Sequence, residues 1–293
     1  MKPIYKKTSI KLTLKILLIS CFFIVSFNHC KSDEQLSRPD ISAIEDHPKP
    51  LPVDNNIVAH RGAYKKNGAP QNSLAAFQDA IDMRLFGIEC DIRLTKDKKV
   101  VIYHDPVYNG LDIDKSTYEE LKASGKLANG EDIPLFEDFV KKALEGKYTK
   151  IWADVKLNSD EYGGAQSTAD VCVAAMEIAR KHEAEHFVCF LITNQFVIYR
   201  AMSVSKGDFA IAFQSSDEAA TYRTRGFEWA SQPYGNFYPD NVEKLNQFKS
   251  LGIKMNIYNC DNVNNARWFI EQGVDQIASN DPEMVLKVLR GEL

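Results

Sequence analysis

The stretch Ile88-Glu89-Cys90-Asp91-Ile92-Arg93-Leu94 alternates without a break between apolar and charged residues. Strict alternation over this length marks a β-strand, because successive side chains on a strand point to opposite faces. Ile88, Cys90, Ile92 and Leu94 share one face, while Glu89, Asp91 and Arg93 share the other. Two acids aimed to one side from a strand interior repel, and such a pair is usually retained for a bound cation.

Upstream, Ile57-Val58-Ala59-His60-Arg61-Gly62 reads as a second strand, and downstream Val100-Val101-Ile102-Tyr103-His104-Asp105 as a third. Together the three stretches carry two histidines, two arginines and three carboxylates to neighbouring strand ends. Further β-rich runs follow at Ile151 to Lys156, Phe187 to Ile192, Phe209 to Phe213, Glu228 to Ser231, Ile253 to Tyr258 and Gln276 to Ser279. With Ile57 to His60 and Ile88 to Leu94 these make eight. Helical segments lie between them. In Ser73 to Leu85 the residues Leu74, Phe77, Ile81 and Leu85 recur at helical spacing behind Ser73 as N-cap, and Val263 to Gln272 stops at Gly273. Strand then helix, repeated eight times over residues 56–293, predicts a (β/α)8 barrel.

Val100 to His104 stands outside that count. Only Lys96-Asp97-Lys98-Lys99 separates it from the second strand, which permits an antiparallel hairpin but no helical crossover. The segment is therefore expected to be an excursion after strand 2 that carries His104 back over the barrel mouth.

In such a barrel the chemistry sits at the C-terminal ends of the strands. His60 and Arg61 end the first strand, and in Ile151-Trp152-Ala153-Asp154-Val155-Lys156 alternation places Trp152, Asp154 and Lys156 on one face. Three carboxylates from two adjacent strands suit a hard cation with oxygen ligands, Ca2+ or Mg2+, better than zinc. Arg61 and Lys156 beside that cation would bind a phosphate. Two histidines flanking a phosphate can divide proton transfer to and from it, which together reads as metal-assisted phosphodiester cleavage.

His60-Arg61-Gly62, the block Pro70-Gln71-Asn72-Ser73-Leu74-Ala75-Ala76-Phe77, Gly87-Ile88-Glu89-Cys90-Asp91 with Thr95-Lys96-Asp97, His104-Asp105, Ile133-Pro134-Leu135, Asp154-Val155-Lys156 and Gly273-Val274-Asp275-Gln276-Ile277 resemble the glycerophosphodiester phosphodiesterase family. The match runs in order from Ile57 to Leu293. The resemblance implies a TIM barrel, a divalent cation, and hydrolysis of small glycerophosphodiesters to glycerol 3-phosphate and an alcohol. Carried over position by position, it makes His60 and His104 the acid/base pair, Glu89, Asp91 and Asp154 the metal ligands, and Arg61 and Lys156 the phosphate contacts. The chain departs from the family pattern at Gln71 and Ser73, where Glu and Thr are usual, at Asp154, where Glu is usual, and in a short segment between His104 and Ile133. A lyase forming a cyclic phosphate would use the same residues, and a binder without turnover would keep the barrel. Phe227, Trp229, Tyr234, Phe237 and Tyr238 are candidate walls for the leaving group.

The chain opens with five lysines and no acid before residue 30, and Ile16 to Phe27 is an apolar run of twelve residues, too short to span a bilayer comfortably. Residues 1–29 are read as an export signal. Cys30, followed by Lys31-Ser32-Asp33-Glu34, resembles the acylation site of a bacterial lipoprotein. Leu18-Ile19-Ser20-Cys21 fits the processing letters better, but cleavage there would leave Phe22-Phe23-Ile24-Val25 at the new terminus. The expectation is an exported protein lipid-anchored through Cys30 to a bacterial membrane, periplasmic or at the cell surface, with 30–55 as a flexible tether holding Pro39, Pro48, Pro50 and Pro52 and 56–293 as the catalytic domain. Without residues 1–29 the net charge falls from −4 to −9, which argues against a nucleic-acid partner. No protein partner is inferable.

Cys90, Cys172, Cys189 and Cys260 lack the short repeated spacing of a zinc site, and each sits in an apolar run expected to bury a free thiol. His182-Glu183-Ala184-Glu185-His186 carries the letters of a zinc-protease motif, whose chemistry needs both histidines on one helical face. The apolar run that begins at Phe187 predicts a helix break between them, on the side of the barrel opposite the mouth.

Overall fold

In the computed structural model, which describes residues 44–158 and 163–293, eight parallel strands close on themselves. They are β1 (Ile57–Ala59), β2 (Gly87–Leu94) and, after the short strands β3 (Val100–Ile102), β4 (Val107–Tyr108) and β5 (Leu111–Asp112), β6 (Lys150–Val155), β7 (Val188–Ile192), β8 (Ala210–Gln214), β9 (Trp229–Pro233), β10 (Lys254–Tyr258) and β11 (Gln276–Ser279). Each barrel strand pairs with the next, β1 pairs with β2, and β11 returns to β1 with Ile57 opposite Ile277. This is the (β/α)8 barrel expected from the alternation of elements.

The excursion after the second strand is present. β3 runs antiparallel to β2 with Ile92 opposite Ile102, and Val101 bridges Leu135 beyond it. β4 and β5 form a separate two-stranded hairpin. Residues 101–135 thus build a small apolar cluster of their own, centred on Val101, Tyr108, Ile113, Leu121 and Ile133.

The α-helices among the described residues are α1 (Leu74–Asp82), α2 (Tyr118–Ser124), α3 (Phe136–Gly146), α4 (Gly164–Lys181), α5 (Gln195–Ser205), α6 (Ala219–Arg225), α7 (Val242–Ser250), α8 (Val263–Gln272) and α9 (Pro282–Leu289). Their starts are legible in side-chain chemistry: Ser73, Thr117, Asn194, Asn241, Asn262 and Asp281 each accept a hydrogen bond from the exposed first turn. α8 ends at Gly273 in a left-handed conformation, as its sequence predicts.

Two apolar layers follow from strand alternation. Outward-facing residues such as Ile88, Cys90, Ile92, Ile151 and Ala153 join the helices in the large core. Inward-facing Val58, Trp152, Cys189, Leu191, Ala212 and Ala278 fill the barrel, and Trp152 meets Trp229 edge to face at 5.3 Å. All four cysteines in the described residues are buried and unpaired. Phe227 and Phe237 are buried, Tyr234 and Tyr238 pack partly buried on the large core, and Trp229 packs on the barrel interior.

The segment read as a tether is described from residue 44 onward, and there it packs on the barrel. Ile44 is buried, His186 Nε2 donates to its carbonyl at 2.8 Å, His47 Nδ1 meets Glu185 at 2.8 Å, and Leu51 N–H donates to Lys147 O at 2.7 Å. One apolar anchor ahead of Pro48, Pro50 and Pro52 carries no periodic signal, which is why this packing is invisible in the sequence pattern. The signal-like segment and Cys30 lie outside the described residues. No described helix is long and apolar enough to cross a membrane.

Candidate active site

Three of the strand ends at the barrel mouth carry acids or bases, and their local geometry explains how. β1 ends at Ala59 and the chain turns sharply: Arg61 and Gly62 both take positive φ, 57° and 86°. A Cβ at Gly62 would stand 2.7 Å from Ala76 Cβ, so only glycine fits against α1. Arg61 adopts its unfavourable conformation because both of its peptide groups are held. Its N–H donates to Glu89 Oε2 at 2.9 Å and its carbonyl accepts from Asn72 N–H at 2.9 Å.

β2 supplies Glu89 and Asp91 from its inward face, and β6 supplies Asp154 opposite Asp91. One oxygen from each of the three carboxylates lies within 4.8 Å of the others. Oxygens bound to one hard cation at about 2.3–2.6 Å can be no more than about 5 Å apart, so the spacing fits such an ion. Glu89 is 4% exposed and Asp91 0%.

Counter-charges reach two of the three. Lys156 Nζ sits 2.7 Å from Asp91 Oδ1 and 2.7 Å from Asp154 Oδ2, and Arg61 Nε lies 3.3 Å from Asp91 Oδ2. Asn72 donates to Asp91 Oδ2 at 2.7 Å and accepts from Asp91 N–H at 3.1 Å. Glu89 Oε1, by contrast, is buried with no hydrogen-bond partner. The electrostatics follow. Burial, reinforced by Asp91 and Asp154, pushes the Glu89 carboxyl well above the usual carboxylate range. Burial also lifts Asp154, with Lys156 opposing it. At Asp91 burial is outweighed by Lys156, Asn72 and Arg61, which hold its carboxyl below the usual range. Burial disfavours the Lys156 ammonium, yet Asp154, Asp91 and Glu89 outweigh it and keep it firmly charged. An orphaned buried carboxylate oxygen among three acids is the observation that fits this set to a divalent cation.

His60 lies beside the triad, with Nε2 3.7 Å from Glu89 Oε2 and Nδ1 2.7 Å from Asn280 Oδ1. Burial lowers its imidazole below the ordinary value, against the Asn280 hydrogen bond. His60, Arg61, Glu89, Asp154 and Lys156 line one wall of a cavity of about 220 Å3. Leu191, Gln214, Ser231, Asn256 and Tyr258 line the other, where Gln214 Oε1 and Asn256 Oδ1 are buried without partners.

His104 is the sequence-derived residue that stands apart. It follows β3, is 44% exposed on its side chain, and pairs through Nδ1 with Asp105 Oδ1 at 2.8 Å. Arg93, the third inward residue of β2, fixes its backbone: Nε and Nη2 both donate to the His104 carbonyl, at 3.0 and 2.7 Å. Gln71 accepts from Arg61 Nη1 at 3.0 Å, so Gln71 and Asn72 both serve the site while Ser73 caps α1.

The zinc-protease letters resolve into structure. α4 ends at Lys181, Glu183 takes a left-handed φ of 53°, and the two histidines face different partners. His182 Nε2 meets Glu137 at 2.7 Å and His186 Nε2 donates to Ile44 O at 2.8 Å.

Sequence reasoning missed Asn256, Gln214, Ser231, Tyr64, Asp261 and Asn280. Alternation over Lys254, Asn256 and Tyr258 was the available signal for the first of these. Asn280 and Asp261 lie in turns, where no periodicity applies.

Acids crowded at a barrel mouth with a fixed ammonium and guanidinium at the rim define a barrel enzyme for an anionic substrate. Residues 60–284 match the glycerophosphoryl diester phosphodiesterase family, and the chain belongs to that family of phosphodiester-cleaving enzymes. A glycerophosphodiester phosphodiesterase of Caldanaerobacter subterraneus subsp. tengcongensis is 27% identical over 252 residues, covering 80% of this chain and 97% of that protein. Among solved structures, a glycerophosphodiester phosphodiesterase from Parabacteroides distasonis superposes with a TM-score of 0.74 at 24% identity, over 81% of this chain and 97% of that one. An Oleispira antarctica phosphodiesterase, solved with its product sn-glycerol-3-phosphate, gives a TM-score of 0.68 at 18% identity, over 80% and 97%.

Proposed function

We propose that this site hydrolyses glycerophosphodiesters to glycerol 3-phosphate and an alcohol. The observation that carries the reading is the buried trio Glu89, Asp91 and Asp154, with oxygens within 4.8 Å and Glu89 Oε1 unpartnered, beside two fixed cations. Glu89, Asp91 and Asp154 would hold a divalent cation, Ca2+ or Mg2+, which when bound supplies Lewis-acid polarisation of a phosphoryl oxygen. Arg61 and Lys156 hold the remaining phosphate charge. Of His60 and His104, one accepts the proton of the attacking water as its oxygen bonds to phosphorus. The other protonates the alkoxide as the phosphorus–oxygen bond to the alcohol breaks. The carboxamide oxygens of Gln214 and Asn256 on the far wall are acceptors for substrate hydroxyls. The product bound in the Oleispira antarctica relative supports this substrate class.

The test is release of glycerol 3-phosphate from glycerophosphocholine, glycerophosphoethanolamine and glycerophosphoinositol with Ca2+, Mg2+ or chelator. Cation-dependent turnover that fails in His60→Ala and His104→Ala supports the reading, and absence of turnover on every diester refutes it. Phosphorus NMR of the products separates hydrolysis from formation of a cyclic phosphate. Acylation at Cys30, and with it a membrane-anchored, exported barrel, is a further part of the proposal. Incorporation of labelled palmitate that disappears in Cys30→Ser tests it.

A further inference from the structure

Asn280 and Asp261 approach His60 from the turns after β11 and β10, and their hydrogen bonds leave little freedom. Asp261 accepts from the Asn280 backbone N–H at Oδ1, 2.7 Å, and from the Asn280 side-chain Nδ2 at Oδ2, 2.8 Å. Ser279 Oγ adds a third bond to Oδ1 at 3.0 Å. A carboxylate only accepts, so the group facing Asp261 must be the amide NH2 and the Asn280 carbonyl oxygen must face the other way. That oxygen lies 2.7 Å from His60 Nδ1 and accepts the Tyr64 hydroxyl at 3.1 Å. A carbonyl oxygen cannot donate either, so the hydrogen in the Asn280 to His60 contact belongs to Nδ1. The lone pair of the neutral ring is then on Nε2, the nitrogen 3.7 Å from Glu89 in the wall of the cavity.

We infer that Asp261 and Asn280 are positioning residues that lock the tautomer of His60, making its Nε2 the base that takes the proton of the attacking water and leaving His104 to protonate the alcohol. This rests on the hydrolytic reading above and deepens it by dividing the two histidine roles. As the water oxygen bonds to phosphorus its proton passes to Nε2. The resulting imidazolium keeps its Nδ1–H bond to Asn280, and the proton returns to solvent after product leaves. His104 also gives its Nδ1 hydrogen to an acceptor, the Asp105 carboxylate at 2.8 Å, but its ring is half exposed and can exchange protons with water.

The experiment is a long-range proton–nitrogen NMR spectrum of the full chain labelled with nitrogen-15 histidine, with the His60 signals assigned by their loss in His60→Gln. The wild-type protein is expected to show the Nδ1–H tautomer. In Asn280→Ala the Nε2–H form becomes populated, and kcat on a cleaved glycerophosphodiester falls roughly ten- to hundredfold with KM little changed. Asp261→Ala, which frees the amide to turn over, mixes the two forms and carries the test if Asn280→Ala does not fold. An Nδ1–H signature unchanged in both Asn280→Ala and Asp261→Ala overturns the lock, as does an Nε2–H wild type. A shifted tautomer in a protein that cleaves no diester supports the lock and removes only the hydrolytic reading.

Discussion

Acids and histidines gather at two places in this molecule, the barrel mouth and the turn that leads from α4 into β7, and the same residue types are treated in opposite ways. At the turn each histidine and the buried Glu185 has its partner: His47 meets Glu185 at 2.8 Å, His182 meets Glu137 at 2.7 Å, and His186 reaches a backbone carbonyl. At the mouth the carboxylates outnumber their counter-charges, and Glu89 Oε1 is left buried and alone. Satisfied polar groups hold a structure together, whereas a crowded and incomplete set costs stability that persists only for a function. The difference teaches how to tell the two sites apart: completeness of hydrogen bonding, not residue identity, marks the chemistry.

The largest break in the comparison comes from Glu89→Gln. Removing a proposed ligand of the cation is expected to lower kcat/KM for a cleaved diester by about a thousandfold or more, a loss of about 4 kcal/mol or more in transition-state stabilisation. The same change removes the buried charge that repels Asp91 and Asp154. The chelated protein should therefore melt at least as high as wild type, by calorimetry at neutral pH. The sign is fixed by burial: Glu89 has its folded pKa raised, so its contribution to stability is present below the ordinary carboxylate range and lost as pH rises through the raised value. A Glu89→Gln protein that melts lower than wild type in chelator would show that Glu89 has a partner.

Lys156→Met acts on the same cluster from the other side. It strips the ammonium from Asp91 and Asp154 and leaves both buried. Breaking a buried pair of this kind costs about 3–5 kcal/mol. Added Ca2+ or Mg2+ should recover part of the lost melting temperature in the variant, and more than it adds to wild type. Equal shifts in both proteins would separate Lys156 from the cation.

The mouth was far more legible in the sequence than the turn. Strand alternation puts Glu89 with Asp91, and Asp154 with Lys156, on single faces, and the eight strands fall where β-rich runs predict them. Periodicity reaches only what lies on a strand or a helix. Asn72, Asn280 and Asp261 sit in turns, and their roles come from which strand ends the closed barrel brings together, a long-range property no local pattern carries. His104 is legible as a histidine after a returning strand, but its half-exposed position is set by the Arg93 grip on its carbonyl. The packing of residues 44–55 was hidden for a related reason, since His47 and Ile44 dock on groups 138 and 142 residues distant.

At the turn, Glu185→Ala should sharpen the contrast. Glu185 is 3% exposed and its carboxylate answers His47, so the loss costs about 1–3 kcal/mol, read as a lower midpoint in urea. Activity per folded molecule should stay at the wild-type level, because no atom of this cluster lines the cavity. A fall in kcat would couple the two ends of the barrel.

The smallest effect belongs to Glu137, and its pH dependence is the finest test. Lys181 and His182 donate to its carboxylate and hold its pKa down to about 2. A depressed acid contributes stability that is present above its unfolded value and lost as pH falls through the folded one. The Glu137 pairs should therefore keep their strength at neutral pH and fade between the ordinary carboxylate range and about 2. The carboxylate is 28% exposed and well hydrated, so solvent screening limits the whole contribution to less than about 1 kcal/mol. Glu137→Gln should lower the melting temperature slightly at pH 7, and the difference from wild type should vanish near pH 2. The mouth cluster cannot mimic this, because Glu89 and Asp154 are shifted upward and lose stability in the opposite direction of pH. A Glu137→Gln penalty that grew as pH fell would mean that the turn holds a buried, unsatisfied acid, and the contrast between the two regions would collapse.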